Sequence, residues 1–557
     1  MGDGSLRQAI RSNRSQQQVI VGRSIPAPVG GWNAQAPLAN MKAEDAVILD
    51  NWIPRPGYVE IRNGSRQQTY GLSTVETLMT WRGAGSDEVL LAASDGGIYD
   101  CSVLGAAAGS PLYSASLNDR WSYVNYSNDA GSFLICVNGA NIPQAFDGTA
   151  FSDLTITGTS GPITLDPTTL VEVMSHKNRL FFFERDSLRV WFLDVTAIQG
   201  TAQLLDLGPV FQKGGSLNCM RPWSLDGGQG ADDFAVFMTD QGEVAIYQGT
   251  DPSDATNWAE VGTYSLGVPL GARSLLKYGS DLAVLTTDGV VPLSQALKLD
   301  RAQDNDVALT QKIQDAFAIA TRQYRENFGW QGMLYPKGSL AIFNIPTRNL
   351  SQSVQYVQNM QTGAWCRFTG LNAICWTVFD NKPYFGGPDG VLEWDVGSSD
   401  NGVPITADLK TAFNYFGQRG RLKQFTMIRP LLQLSQSVFP ALEIDVDYKE
   451  SVPTAVPTTV GTIGALWDDG LWDEGLWSDT DIIRNDWTSV TGVGYCGAAR
   501  MRVVTSTDSY VVLLGAGDGD TLGDGEGFDL AVSALSTAEI DVRLISFDLM
   551  FQPGGQL

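Results

Sequence analysis

Between about residues 70 and 397 short apolar runs alternate with Asp/Asn-Gly-type turns, as in "VLLAASDGGIYDC", "SFLICVNGANIPQAFDG", "RLFFFERDSLRVWFLDV", "FAVFMTDQGEVAIYQG" and "LAVLTTDGVVPLS". Each run is four to eight residues long and is closed by residues that accept positive φ, the signature of β-hairpins. The markers Asp95, Asn138, Asp186, Asp240 and Asp288 stand 43, 48, 54 and 48 residues apart. A further set, "SLAIFNIP", "VQYVQNMQTGAWCRF" and "KPYFGGPDGVLEWDV", makes a sixth unit. Repeats of this length, each worth four short strands, predict a six-bladed β-propeller over 70–397. The alternative is a run of unrelated β-meanders, since the units share a pattern rather than identity. The combined Gly-His…Trp-Asp signature of WD40 arrays is missing.

One stretch breaks this rhythm. In "DNDVALTQKIQDAFAIATRQYRENFGW", Leu309, Ile313, Phe317, Ala320 and Tyr324 recur at helical spacing. Asp304, Asn305 and Asp306 offer N-caps and Gly329 a stop, so an inserted helix is expected over about 304–328. It is expected either to cross the ring or meet a neighbour, or to lie on a blade edge. From 398 to 557 the strands lengthen and alternate, as in "RMRVVTSTDSYVVLLGA" and "AEIDVRLISFDLMF", predicting a C-terminal β-sheet or sandwich domain. Residues 1–69 read as an N-terminal arm and platform-type segment. The fold class is therefore mainly β.

Composition agrees, with 60 glycines and 10% aromatic residues among 557. Only 18% of residues are charged against 43% hydrophobic, which leaves ample material for a core. The net charge is −24, from 61 acidic and 37 basic residues, which excludes DNA binding by phosphate neutralisation. It permits a passage whose walls repel DNA. Charge is uneven: Glu443 to Asp486 holds 11 carboxylates against Lys449 and Arg484, whereas Arg7, Arg11, Arg14 and Arg23 face only Asp3. Six scattered cysteines without a CxxC pair point to buried thiols rather than zinc or disulfides. The single histidine, His176, at the mouth of an apolar strand, reads as a satisfied turn residue and leaves no partner for a catalytic triad. The chain starts without the apolar core of a signal peptide and holds no 18-residue apolar run. Synthesis in the cytoplasm without a transmembrane helix is expected.

Two loops stand out. "ALWDDGLWDEGLWSD", 465–479, places Trp467, Trp472 and Trp477 five residues apart, a period of neither helix nor strand. Gly470 and Gly475 allow a reversal between units. The indoles are candidates for a subunit interface, or pack under their own sheet; Asp468, Asp469, Asp473 and Glu474 are candidates to face a lumen. The loop 515–529, "GAGDGDTLGDGEGFD", matches one imperfect turn of a calcium-binding nonapeptide, and a solvated hairpin tip explains it as simply. The many Asp turns single out no carboxylate pair for glycoside hydrolysis, the sialidase box is missing, and no phosphate loop is present. No catalytic residue, metal ligand or cofactor is expected.

Residues 29–66, "VGGWNAQAPLANMKAEDAVILDNWIPRPGYVEIRNGSR", are the most distinctive stretch. With "FGWQGMLYPKGSLAIFNIP", "FNYFGQRGRLKQFTMIRPLL", the Trp-Asp loop and the terminal "FDLMFQPGGQL", they resemble the tail nozzle, or tail tubular protein B-like, family of short-tailed (podovirus-type) bacteriophages. The resemblance is carried by the constellation, through Gly31, Asn33, "PLANM", Asp45, Ala46 and "LDNWIPRPGYVEIRNG". Loop 515–529 has no counterpart in it. The resemblance implies a virion protein in a hexameric ring below the portal and adaptor. It also implies attachment of tail fibres or spikes, and a lumen through which double-stranded DNA leaves without sequence-specific binding. The expectation is thus a structural, non-enzymatic subunit of the phage tail. The alternative is a carbohydrate-binding or carbohydrate-active propeller acting on the bacterial surface.

Overall fold

The computed structural model describes residues 20–226, 231–296, 308–434, 437–453, 458–460, 482–505 and 541–556. Before the propeller come β1 (Val21–Pro26), β2 (Asp45–Asp50), β3 (Trp52–Arg55), β4 (Tyr58–Ile61) and β5 (Ser65–Tyr70). Antiparallel meanders then succeed one another along the chain. Blade one is Val75–Arg82, Glu88–Ser94 and Gly97–Asp100; blade two runs from Ser122–Asn128 to Phe151–Asp153. Blade three runs from Leu170–His176 to Gln203–Asp206. Blade four is Leu217–Asp226, Ala231–Thr239, Glu243–Gly249 and an outer strand β6 (Trp258–Ser265). Blade five is Leu275–Tyr278, Asp281–Thr286 and Gly289–Pro292.

Apolar residues of neighbouring blades share cores. Met79 and Leu91 of blade one pack with Leu134 and Phe146 of blade two, and Ile135 of blade two with Val173 and Phe182 of blade three. Phe183 and Phe237 join blades three and four; Val236 and Val284 join four and five. This face-to-face burial of successive sheets makes a β-propeller arrangement.

The structure counts five free-standing blades, not six. Each of the five turn markers belongs to one of them: Asp95 and Asp186 have φ of 51° and 52°, and Gly242 beside Asp240 has 77°. The expected sixth unit is two meanders, Gln331–Tyr335 to β7 (Trp365–Phe368), and Cys375–Phe379 to Gly390–Trp394. Neither is free-standing, because strands from outside the propeller occupy their outer edges. β2 meets β7 in parallel at Asp50 and Arg367, extending the first into a nine-stranded sheet. β5 pairs with Gly390–Trp394, extending the second into a seven-stranded sheet. The second meander packs back on blade one through Cys375, Tyr384 and Val391 against Val75, Leu78 and Ala92, which closes the ring.

The inserted helix is shorter than expected. A 3₁₀ turn, Gln311–Ile313, leads into α1 (Gln314–Tyr324). The proposed caps Asp304 to Asp306 lie outside the described residues, and α1 itself starts after Ile313 with no side-chain cap. Its buried face carries Ile313, Phe317 and Ala320, with Leu309 and Tyr324 packed beside them, the five positions the periodicity selects. α1 lies against the interior strand Leu340–Arg348 of the following meander and against Gly289–Pro292, the outer strand of blade five. Beyond it Gly329 takes φ 120°, and Phe328 sits under the guanidinium groups of Arg120 and Arg273, 4.2 and 5.3 Å away. The segment after the helix therefore reaches the loops that lead into blades two and five.

The C-terminal strands are β8 (Thr406–Thr411), β9 (Arg421–Leu434), β10 (Ala441–Val446), β11 (Gly497–Val504) and β12 (Val542–Gln556). β9 and β12 pair along nearly their whole length, and β1 adds to β12 in antiparallel register from Val21 with Phe551 to Pro26 with Ser546. β8, β11 and β10 continue the nine-stranded sheet beyond β2. Phe425, Ile428, Phe547 and Leu549 of one sheet face Leu409, Met501 and Val503 of the other in a shared core, giving a sandwich. No helix among the described residues is long and apolar enough to cross a membrane.

Candidate functional site

Trp467, Trp472, Trp477, Asp468, Asp469, Asp473 and Glu474 all lie outside the described residues, as does loop 515–529. The flanks of the tryptophan loop are placed. Thr458–Val460 pairs with Ser437–Phe439, and Ile482–Arg484 pairs with β9 at Leu432 to Leu434. The loop thus leaves and rejoins the chain at the sandwich.

The distinctive stretch 29–66 is described throughout, and its polar residues build the joint between propeller and sandwich. Asn51, at the bend between β2 and β3, holds φ 60° and uses both ends of its side chain. Its Nδ2 donates to Thr369 Oγ1 (2.9 Å) and Thr406 O (2.8 Å), and its Oδ1 accepts from Thr369 N (2.9 Å). Oδ1 also accepts from Arg62 Nε (2.8 Å). Arg62, with a side chain 0% exposed, forks onto Asp400 at 2.8 and 2.6 Å and donates to the carbonyls of Asn63 and Thr369. A planar guanidinium suits this site because it satisfies several acceptors in one plane.

The same logic recurs on either side. Asp50 takes two bonds from Arg367 (2.8 and 2.6 Å); burial opposes the Arg367 charge, but the Asp50 contacts outweigh it and hold that guanidinium above its ordinary value. Asp45 accepts from Lys312 Nζ (2.6 Å), just ahead of α1, and from Asn33 Nδ2 (2.8 Å), whose Oδ1 caps Gln35 and Ala36. Gly31 has φ 84°, and a Cβ there would stand 2.6 Å from backbone atoms of Trp365. A Cβ on Gly64 would stand 1.9 Å from Ser399 O. Inside the sandwich Lys410 and Asp445 pair at 2.7 Å with side chains 0% and 1% exposed, and Arg500 forks onto Asp408. Nothing local marks the partners Asp400, Arg367 or Lys410, since each lies hundreds of residues from the N-terminal stretch or across another strand; the Asp50, Asn51 and Arg62 half of the joint is in the stretch itself.

Two hollows adjoin the joint and another lies among the blades. A cleft of about 390 Å³ opens beside Asp400, lined also by Asn51, Phe385 and Asn401. One of about 250 Å³ holds Arg55 paired with Glu60 (2.6 Å) and Tyr335 donating to Asp395 (2.7 Å). One of about 420 Å³ between blades holds Lys177 paired with Asp233 (2.6 Å). These paired charges are structural: neither partner is a free base or nucleophile. Among the described residues no group of three His, Cys, Asp or Glu stands close enough for a metal ion.

His176 is buried against Phe181 and Trp258 with Nε2 3.4 Å from Gly249 O, and burial holds its pKa below the ordinary histidine value. All six cysteines are free and buried, and burial pushes the Cys101 thiol up to about 12, which keeps it unreactive.

No protein-family model matches the chain, and no curated protein does. Among solved structures, BBS1N in complex with ARL6DN is similar over 64% of this chain and 100% of that one, at 11% identity and a TM-score of 0.41. The Cps50 (Swd1) β-propeller domain of Myceliophteria thermophila matches over 60% and 99%, at 13% identity and a TM-score of 0.38. YCF48 from Cyanidioschyzon merolae matches over 59% and 98%, at 11% identity and a TM-score of 0.35. Likenesses this distant bear on neither partner nor activity.

Proposed function

We propose that this chain is a structural subunit of the tail nozzle of a short-tailed bacteriophage, without catalysis, forming with its copies a ring around the exit path of DNA. The reading rests on the resemblance of residues 29–66, and one observation carries it. Asn33, Asp45, Asp50, Asn51 and Arg62 of that stretch are spent on hydrogen bonds and ion pairs that hold propeller to sandwich. A part that transmits load between stacked rings needs such a joint. A surface enzyme needs an open site with unpaired groups, whereas Asp45, Asp50, Glu60 and Asp400 are each tied to a cation. In this reading the ring is hexameric, meets the adaptor and portal on one side, carries fibres or spikes, and resides in the virion. The acidic surplus keeps the duplex sliding rather than stuck.

The test is native mass and negative-stain imaging of the purified chain. A ring near six times 60.2 kDa with an axial opening is expected. A monomer or dimer that turns over bacterial polysaccharide would instead establish the carbohydrate-active alternative.

A further inference from the structure

In most of this propeller the outer edge of each meander is covered or short. In blade one Ile98 is bridged by Tyr113. Blade two ends in a strand of three residues, Phe151–Asp153, and blade three in the four residues Gln203–Asp206, beside Thr159–Ser160. In blade five Leu309 N donates to Val290 O and α1 packs alongside. The last two meanders are covered by β2 and β5.

Blade four is the exception. β6 is eight residues long, pairs only with Glu243–Gly249, and makes no backbone hydrogen bond on its other side among the described residues. It holds neither lysine nor proline, and Ala259, Glu260, Val261 and Ser265 are exposed. Its one blunting feature is a bulge at Val261, which leaves Gly262 to Ser265 as a flat run. An uncovered edge of this kind is a template for an added strand.

We infer that β6 receives residues 1–19 of a second copy of this chain as an added strand, an inference that rests on the ring proposed above. Charge selects this occupant. Asp251, Asp254 and Glu260 flank or lie on the edge; Arg179 answers Asp251, while Asp254 and Glu260 have no cationic partner among the described residues. The cation beside the strand, Lys213, bonds Ser265 Oγ. Residues 1–19 carry Arg7, Arg11 and Arg14 against Asp3, then the uncharged run "QQQV". Reach allows it, because 19 extended residues span about 65 Å. The arm's root stands apart from blade four, since β1 is held in the sandwich, whose core takes no residue of that blade; the ring proposed above gives the arm to a neighbouring copy. An arm given to one neighbour and received from the other is a heterologous contact, the kind that closes a ring.

The test uses the full chain, whose native thiols are all buried and so give no background. Gln17→Cys chains and Thr263→Cys chains, differently tagged, are co-assembled and oxidised. Expected are a disulfide joining unlike tags and, for Arg7, Arg11 and Arg14 replaced by Glu, at least a ten-fold loss of assembled ring at low salt. Thr263→Pro should lower assembly similarly with little change in the melting of its monomer. Rings that form normally from both assembly variants with no cross-link would overturn the arm while leaving the ring intact. A disulfide that closes only within a doubly substituted chain would overturn the second copy as occupant. A chain that never assembles would overturn both proposals.

Discussion

Arg62 shows what a single residue carries in this fold. Its guanidinium is wholly buried, forked onto Asp400 and tied to Asn51, which itself donates to Thr406 O, so propeller, N-terminal strands and sandwich meet at this pair of side chains. Removing one member of a buried pair strands the other, typically at about 3–5 kcal/mol. Arg62→Met should therefore lower the urea midpoint markedly, and adding Asp400→Leu should restore part of the loss, since no charge then stays unanswered. His176 offers a second residue-scale test because it is the chain's sole histidine. Burial holds its folded pKa below the unfolded value of about 6.5. Between those two values the unfolded chain binds the extra proton, so stability is full above pH ~6.5 and declines as pH falls, levelling once the folded pKa is passed. One proton limits the slope to about 1.4 kcal/mol per pH unit. Denaturant titrations from pH 7 to 5 should show this slope in the parent, and His176→Gln should flatten it.

At the scale of elements, turns test the hairpin assignments in graded fashion. Gly96 and Gly242 have φ of 78° and 77°, but their surroundings differ. A Cβ at Gly96 would meet Ser116 O at 3.2 Å, whereas at Gly242 it would stand 2.7 Å from the carbonyl oxygens of Leu266 and Gly267. Gly96→Val should cost on the order of 1 kcal/mol from backbone strain, and Gly242→Val clearly more; thermal melts that rank them oppositely would refute the packing around blade four. These turns were readable because Asp-Gly and Asn-Gly chemistry is local. The helix face was readable for the same reason, since Ile313, Phe317 and Ala320 obey one period. Its start was not: Asp304 to Asp306 look like caps, yet regular helix begins only after the 3₁₀ turn at Gln311–Ile313. The blade count failed on a non-local fact. Whether a meander stands alone depends on what pairs with its outer edge, and β2 and β5 are more than 300 residues from the edges they cover. The joint was half visible in the same way, with Asp50 and Arg62 in the distinctive stretch and Arg367 and Asp400 far beyond it.

At the scale of the whole molecule, the proposed ring makes opposite demands on the tryptophan loop, which lies outside the described residues between two strands rooted in the sandwich. Indoles at an interface bury large apolar areas and are worth about 2 kcal/mol or more each when truncated. Replacing Trp467, Trp472 and Trp477 together by Ser should weaken ring formation or tail completion, while circular dichroism of the subunit stays that of the parent. Asp468, Asp469, Asp473 and Glu474 carry a separate prediction. If they face the DNA path, their charge repels the duplex, and reversing them to Lys converts repulsion to attraction. That attraction acts over about 10 Å at 0.1 M salt and shortens to about 3 Å at 1 M. Particles carrying the Lys variants should therefore release DNA more slowly than the parent at low ionic strength, with the difference shrinking as salt rises, because each phosphate contact made is weakened by counterion competition. The measurement times DNA release from assembled particles at the two ionic strengths. Rates equal to the parent's at both would put this loop outside the channel, and a slowing that ignored salt would mean the lysines disturb assembly rather than the path of the duplex.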